Sequence, residues 1–271
     1  MLSKEKLIEH CKKCGADLVG VASIDRFEGV EAAGDPRFIL PRVKSVIVLV
    51  HSIPRGWVRG YESHSDWETA YKRGGFLDSS LTIEIAYNIC TYIEDCGFDA
   101  VPLYQYPIEM RGHGVKVKPG NPEPDVVIDT MYAAHAAGLG QFGKCGLFLT
   151  PEFGPRQQFT TILTNAELEA DEIQEKSICD NCGECASACP ARAISELEYE
   201  KITQTNGETT VSKIMLQYCR NCKTGAVANS FLPNAAPERM FAACGRACMA
   251  HLEDAHMLKY RFENDFRRKT K

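Results

Sequence analysis

The chain has 271 residues, of which 44% are hydrophobic and 25% charged, and its formal net charge is −5. This is the composition of an ordinary globular protein, large enough for one sizeable core and a smaller appendage. The acid excess argues against a protein that holds nucleic acid by bulk charge, and the lack of any run of 18 apolar residues argues against a membrane-spanning helix.

The N-terminal residues MLSKEKLIEHCKKCGADLVG have neither the apolar stretch of a secretory leader nor a twin-arginine run, so a cytoplasmic location is expected. Leu7, Ile8 and Cys11 share one helical face over residues 4–14, and Gly15 is a C-cap candidate. Residues 18–23 read as a short strand. The apolar run Val46–Val50 within 43–51 predicts a strand buried on both faces. Residues 55–66 read as a loop, and a long helical pattern runs from Trp67 to Cys96, weakened at Gly74–Gly75 and ended by Gly97. A strand is expected over 98–104. Residues 107–124, rich in proline and glycine, read as an irregular loop that lines something. An Ala-rich helix over 130–137 and a β-branched strand over 158–164 follow. The alternation gives an α/β layered domain over 1–172. The remainder, 173–271, holds eight of the thirteen cysteines and is compositionally separate. Its last residues, Arg267, Arg268, Lys269 and Lys271, read as a solvated basic tail.

Thirteen cysteines are too many for chance, and the odd number does not suit an all-disulfide scheme. In a reducing compartment, clustered cysteines read as metal ligands or redox groups. Cys179, Cys182, Cys185 and Cys189 with Pro190 form C-x2-C-x2-C-x3-C-P, the spacing of the bacterial ferredoxin run, whose fourth cysteine ligates the other cluster. Three thiolates on one loop grip three corners of a cubane, and Cys189 is expected to start a helix with Pro190 in its first turn. Cys219, Cys222, Cys244 and Cys248 supply a second set, C-x2-C-x21-C-x3-C, with Met249 where the motif usually has proline. Cross-ligation assigns Cys179, Cys182, Cys185 and Cys248 to one [4Fe–4S] cluster and Cys189, Cys219, Cys222 and Cys244 to the other. A structural zinc site made of two C-x2-C pairs, and a single cluster with spare thiols, are the alternatives.

Gly138, Gly140 and Gly143 lie within six residues, which lets a backbone approach a flat or charged ligand closely. They follow a helix and precede a strand, so the dinucleotide-binding reading fails. In combination the signal is specific. AAGLGQFGKCGLFLTPEFGPRQQFTTILTNAEL, followed by C-x2-C-x2-C-x3-C-P, resembles the cobalamin-dependent epoxyqueuosine reductases and the reductive dehalogenases, most strongly over about 125–250. The resemblance implies a nitroreductase-like α/β domain and a ferredoxin-like module with two [4Fe–4S] clusters. It also implies a base-off corrinoid reduced to Co(I), which acts on an organic substrate; a flavin is the substitute cofactor. Gly138, Leu139, Gly140, Phe142 and Gly143 would then lie against the corrinoid, while Phe153, Gly154 and Thr164 match the family's turn and strand. Epoxyqueuosine reductases carry an acidic proton donor before this helix, for which Asp125 and Asp129 compete. Asp129 is preferred, with a helix N-cap as its alternative role. Dehalogenases use a tyrosine, for which Tyr104, Tyr106 and Tyr132 are the candidates.

The family members that act on tRNA extend beyond the cluster module, so this acidic chain is expected to take a small-molecule substrate rather than nucleic acid. The expected electron source is a low-potential donor such as a ferredoxin or flavodoxin. Rival readings are a protein that reduces a corrinoid held by a partner, and a cobalamin-processing protein. Cys11 and Cys14 are expected to be unlinked thiols and Cys90 and Cys96 core residues; Cys145, which follows the glycine loop, is a minor candidate for facing the cofactor. His51, His64, His113 and His135 could bind cobalt, although the resemblance implies a metal without a protein ligand; His113 is the first choice for substrate contact, with a solvated loop histidine as its alternative, and His251 and His256 are expected at the surface.

Overall fold

A computed structural model describes residues 2–66, 80–111, 115–116, 118–123, 126–229, 232 and 234–267. Asp125, His113, Gly74–Gly75 and the tail from Arg268 onward lie outside them. The chain divides into two compact units that interleave in sequence: Met1–His51, Phe76–Leu139 and Gln158–Ile173 form the first; Ser52–Gly75, Gly140–Gln157 and Gln174–Lys271 form the second. The sequence expectation is 1–172 and 173–271; in this division segments 52–75 and 140–157 group with the cysteine-rich part. The strands are β1 (Leu18–Ser23), β2 (Ser45–Ser52), β3 (Ala100–Leu103), β4 (Gln141–Phe142), β5 (Phe148–Leu149), β6 (Gln157–Thr164), β7 (Ile194–Gln204) and β8 (Gly207–Ile214). The longer helices are α1 (Lys4–Cys14), α2 (Arg55–Glu62), α3 (Thr82–Asp95), α4 (Thr130–Ala136) and α5 (Ala243–Asp254).

In the first unit, α1 starts at Ser3, whose side chain accepts from Lys6 N, and ends at Gly15, whose φ of 110° lets its N–H reach the Cys11 and Lys12 carbonyls. The sheet order is β1-β2-β6-β3, with β1 antiparallel to β2 and β3 antiparallel to β6. Lys44 N donates to Thr164 O at one end of the central pair and Ile53 N to Arg156 O at the other, so β2 and β6 also run antiparallel. Residues 45–51 and all of β6 are buried, as the apolar run in β2 predicts. Leu7 and Cys11 of α1 and Ile85, Ile89 and Ile93 of α3 pack in one core with Val21, Ile47, Leu49 and Ile162 of the sheet. Truncating one of these to alanine costs about 2–5 kcal/mol, which fixes the scaffold tightly.

In the second unit, residues 55–62 are helical where the sequence reads as a loop. Arg55, Val58 and Tyr61, spaced by three, are buried along one stripe of α2, and Pro54 presets the entry. Burial of that stripe outweighs the poor propensity of Gly56 and Gly60. A long hairpin, β7–β8, closes at Thr205–Asn206 with Gly207 at φ 128°.

Candidate metal centre

Local backbone geometry aims the first cysteines. Asn181 and Gly183 both take positive φ, 63° and 82°, which folds the chain from Cys179 through Cys182 onto a short helix, Glu184–Ser187, carrying Cys185. Asn and Gly are the residues that tolerate this region best, and the Asp180 carboxylate accepts from Cys182 N at 3.2 Å. The expected helix at Cys189 is absent. Arg192 N donates to Cys189 O at 3.0 Å, Arg192 turns at φ 47°, and the chain enters β7 at Ile194. Cys219 ends a short helix, Leu216–Cys219, and Cys222 follows one turn later. Cys244 and Cys248 are one turn apart on α5, where an i,i+4 pair shares a face.

All eight thiols lie in the second unit. Cys248 has Cys145, Cys179, Cys182, Cys185 and Cys244 as neighbours. Cys244 neighbours Cys189 and Cys219, and Cys219 neighbours Cys222. Within one tetrahedral zinc site, sulfurs lie about 3.8 Å apart. Among the described residues, no three cysteine sulfurs lie mutually within 4.8 Å.

Donors already point at the sulfurs. Lys144 N reaches Cys179 Sγ at 3.4 Å, Ala193 N reaches Cys189 Sγ at 3.3 Å, and Thr224 N reaches Cys222 Sγ at 3.3 Å. Such N–H···S contacts stabilise anionic sulfur and set cluster potentials. Burial pushes the Cys244 thiol up to about 12 and Cys248 well above the ordinary thiol value. Cys185 is raised by its hydrogen bond with Cys145 and then by burial. At Cys222 burial also raises the thiol, but hydrogen bonds from the Thr224 hydroxyl and N–H outweigh it, for a net lowering. Packed thiols of this kind ionise when metal cations supply the compensating charge. The residues present therefore fit iron–sulfur cores.

Two neighbours escaped the sequence reading. His251, expected at the surface, is only partly exposed and sits 2.7 Å from the Asp180 carboxylate, with the Cys182 sulfur within 4.8 Å of both ligand atoms. Arg246, between Cys244 and Cys248 on α5, is buried and ties Glu62 (2.7 Å) and the carbonyls of Thr224 (2.7 Å) and Phe241 together. Burial alone would raise the Glu62 carboxyl, but hydrogen bonds from Arg267 and Arg246 outweigh it and hold it below the carboxylate range. Arg267 is thus ion-paired at 2.6 Å rather than part of a solvated tail.

The residues expected to face a corrinoid are engaged with the chain itself. A Cβ at Gly138 would lie 2.1 Å from Glu172 O, one at Gly140 2.0 Å from Leu149 O, and one at Gly143 2.9 Å from Leu149 Cδ1. Leu139 is buried, and Phe142 packs edge-on against Phe148. Phe153 lies beneath the Arg156 guanidinium, Gly154 closes a tight turn with Thr150, and Thr164 Oγ1 accepts from Ala166 N. Chain packing thus crowds the Cβ side of Gly138, Gly140 and Gly143.

Of the proton-donor candidates, Asp129 caps α4, its Oδ1 accepting from Met131 N at 2.9 Å and Tyr132 N at 3.1 Å. Tyr132 donates to Arg26 O. Tyr104 and Tyr106 line a cavity of about 120 Å³ in the first unit, with Ile39, Val127, Thr130 and Thr161 among its other walls. Thr161 Oγ1 is buried and has no hydrogen-bond partner among the described residues. His51 and His135 are buried, and desolvation lowers both imidazoles, so they are neutral core residues near pH 7. Cys11, Cys14, Cys90 and Cys96 are unlinked thiols, with Cys11 and Cys90 in the core.

Residues 174–195 match the family described as a 4Fe-4S binding domain. Over 124 residues the chain is 33% identical to the tetrachloroethene reductive dehalogenase of Desulfitobacterium hafniense, a match covering 45% of this chain and 19% of that one. Over 237 residues it is 23% identical to the epoxyqueuosine reductase of Bacillus subtilis (strain 168), covering 75% of this chain and 56% of that one. Epoxyqueuosine reductases and reductive dehalogenases are its homologues. The chain spans about a fifth of the first of these relatives and just over half of the second. A solved reductive dehalogenase, described as suggesting a mechanism for B12-dependent dehalogenation, superposes with a TM-score of 0.59 at 17% identity. That match covers 96% of this chain and 38% of the dehalogenase, and it supports the mixed α/β fold. No helix among the described residues is long and apolar enough to cross a membrane.

Proposed function

We propose that the chain is an iron–sulfur oxidoreductase in which Cys179, Cys182, Cys185 and Cys248 hold one [4Fe–4S] cluster and Cys189, Cys219, Cys222 and Cys244 a second. What supports this reading is eight thiols within one unit, with Cys179, Cys182 and Cys185 among the neighbours of Cys248 and Cys189 and Cys219 among those of Cys244. When bound, the clusters supply one-electron steps at low potential, over a range reaching about −700 mV. Around them the chain does three things. It desolvates the ligand sulfurs, aims N–H groups at Cys179, Cys189 and Cys222, and fixes α5 through Arg246 so that Cys244 and Cys248 serve different groups.

The substrate in this reading is a small organic molecule reduced with electrons from a ferredoxin- or flavodoxin-like donor. The first-unit cavity offers apolar walls, an unpartnered Thr161 hydroxyl for one polar atom, and Tyr104 as an accessible phenol. Tyr104 is the better proton donor of the described candidates, because the Asp129 cap already engages its Oδ1. A corrinoid as the intermediate carrier rests on the sequence resemblance and on the B12-dependent dehalogenase likeness. The cavity of about 120 Å³ is far smaller than the pockets of about 300–1,000 Å³ that take drug-sized ligands. The second reading is a chain that reduces a corrinoid carried by a partner. A tRNA stem loop, the substrate class of one branch of the resemblance, is the rival substrate.

The test is anaerobic turnover with a strong chemical reductant, offering tetrachloroethene, a halogenated phenol and an epoxyqueuosine-bearing stem loop, with and without added cobalamin. Reduction of a small electrophile, weakened at least tenfold in Tyr104→Phe, supports the first reading. Turnover of the stem loop alone overturns the substrate class. Iron-loaded protein that keeps no cobalt and turns over nothing until a corrinoid protein is added establishes the second.

A further inference from the structure

Arg55, Arg246 and Arg267 of the second unit each meet a carboxylate, at 3.0, 2.7 and 2.6 Å. Arg239 of the same unit pairs with no carboxylate among the described residues. Its Nη2 donates to Cys145 O at 2.8 Å, and its Nη1 is buried with no hydrogen-bond partner among the described residues. The backbone fixes where this side chain starts. Val227 and Glu238 form a two-way bridge, Glu238 N donating to Val227 O at 2.8 Å and Val227 N to Glu238 O at 2.9 Å. Ala242 N then donates to Arg239 O at 3.0 Å, in the turn that leads into α5 and Cys244. The approach is close: a Cβ at Gly245 would lie 2.5 Å from Arg239 O. At the far end of the side chain, Cys145 is 2% exposed and packs with Cys185 and Cys244, with Cys189 and Cys222 against them. The guanidinium thus ends against the packed layer that holds Cys189, Cys222 and Cys244.

We infer that Arg239 is a positioning residue whose fixed positive charge offsets the negative charge of the cluster held by Cys189, Cys219, Cys222 and Cys244 and raises that cluster's reduction potential. The inference rests on the two-cluster reading above. A cation taken out of water without a partner is costly, so a site that keeps one has a counter-charge nearby. No carboxylate among the described residues supplies it, whereas a cubane with four thiolate ligands is an anion. An arginine keeps its proton in a protein, so the charge is constant across the working pH range. Reduction adds one electron, and one negative charge, to the cluster. A fixed cation beside it stabilises the reduced state more than the oxidised state, and the potential rises. Partial burial lets the charge act with less screening than at the surface. No bond is made or broken, and the electron comes from the low-potential donor of that reading.

The experiment compares wild type, Arg239→Gln and Arg239→Lys as anaerobically purified full-length proteins, by iron and sulfide content and by a redox titration followed by EPR. Wild-type iron and two midpoints test the two-cluster reading itself; a chain that lacks either fails at that step, before the variants are compared. The inference predicts full iron in both variants. In Arg239→Gln, whose amide still offers N–H donors but carries no charge, one midpoint falls. The expected fall is about tenfold in the reduced-to-oxidised ratio at fixed potential, or about 59 mV for one electron. The other midpoint shifts less, and Arg239→Lys, which keeps the charge, restores most of the loss. An unshifted Arg239→Gln overturns the inference. So does an equal fall in both variants, because the charge is then not what sets the midpoint. Where Arg239→Gln does not retain its iron, Arg239→Lys decides: full iron with the wild-type midpoint supports the role of the charge, and loss of either overturns it.

Discussion

Cys244 and Cys248 are one turn apart on α5, and in the interleaved scheme they serve different clusters. Single replacements by alanine probe this directly. Two cubanes hold about eight irons, and a lost thiolate ligand that releases one cubane leaves about four. Cys248→Ala and Cys244→Ala are each expected to keep about half the iron and half the visible charge-transfer absorption. The doubles separate the assignment from simple damage. Cys179→Ala with Cys248→Ala falls in one group, so it loses no more than either single and keeps about four irons. Cys244→Ala with Cys248→Ala spans both groups and falls toward zero. This non-additivity within a group and additivity across groups is the signature of shared sites. The assay is iron per chain by metal analysis after anaerobic purification, with far-UV circular dichroism to show that α5 persists. The reasoning is refuted if the Cys244/Cys248 double keeps half the iron while the Cys179/Cys248 double loses all of it, because those two helix cysteines then serve the same cluster.

Other expectations follow from the packing. Gly140→Ala places a Cβ 2.0 Å from Leu149 O, so it is expected to lower unfolding stability by roughly 3 kcal/mol with no cobalamin present; denaturant unfolding that shows no loss refutes the packing role of this glycine. Asp129→Ala removes the α4 cap and is expected to cost about 1 kcal/mol, and a loss of turnover beyond that stability change would return the proton-donor role to Asp129. Glu62→Gln leaves buried Arg246 without its carboxylate and is expected to cost about 3 kcal/mol at pH 7. Glu62 titrates below its ordinary 4.5 in the folded chain, so its contribution is present above pH 4.5 and is lost as pH falls through the lowered value. Melts of Glu62→Gln and wild type should therefore converge below that pH, and a constant gap contradicts the ion-pair account.

Local rules made part of this chain legible. The first strand and first helix lie where the apolar spacing and Gly15 place them, because short-range periodicity and capping decide them. The cysteine spacings announced a cluster module, since metal geometry restricts spacing more than packing does. Other features depended on long-range contacts that spacing does not encode. Helix 55–62 forms because Arg55, Val58 and Tyr61 bury one stripe, with Arg55 meeting Glu253 at 3.0 Å. The hairpin 194–214 went unread although its alternation around Asn206–Gly207 was a usable signal. The crowding on the Cβ side of the glycines of 138–143 comes from Glu172 and Leu149, which no spacing within that segment announces. Cys145 could be singled out only by position, since nothing in its own spacing distinguishes it from a core thiol.

Iron, zinc and acid-labile sulfide, counted together on the anaerobically purified chain, test the central claim most directly. The account predicts about eight irons and eight sulfides per chain with no stoichiometric zinc. Zinc in place of iron, or iron and sulfide near four per chain, contradicts it.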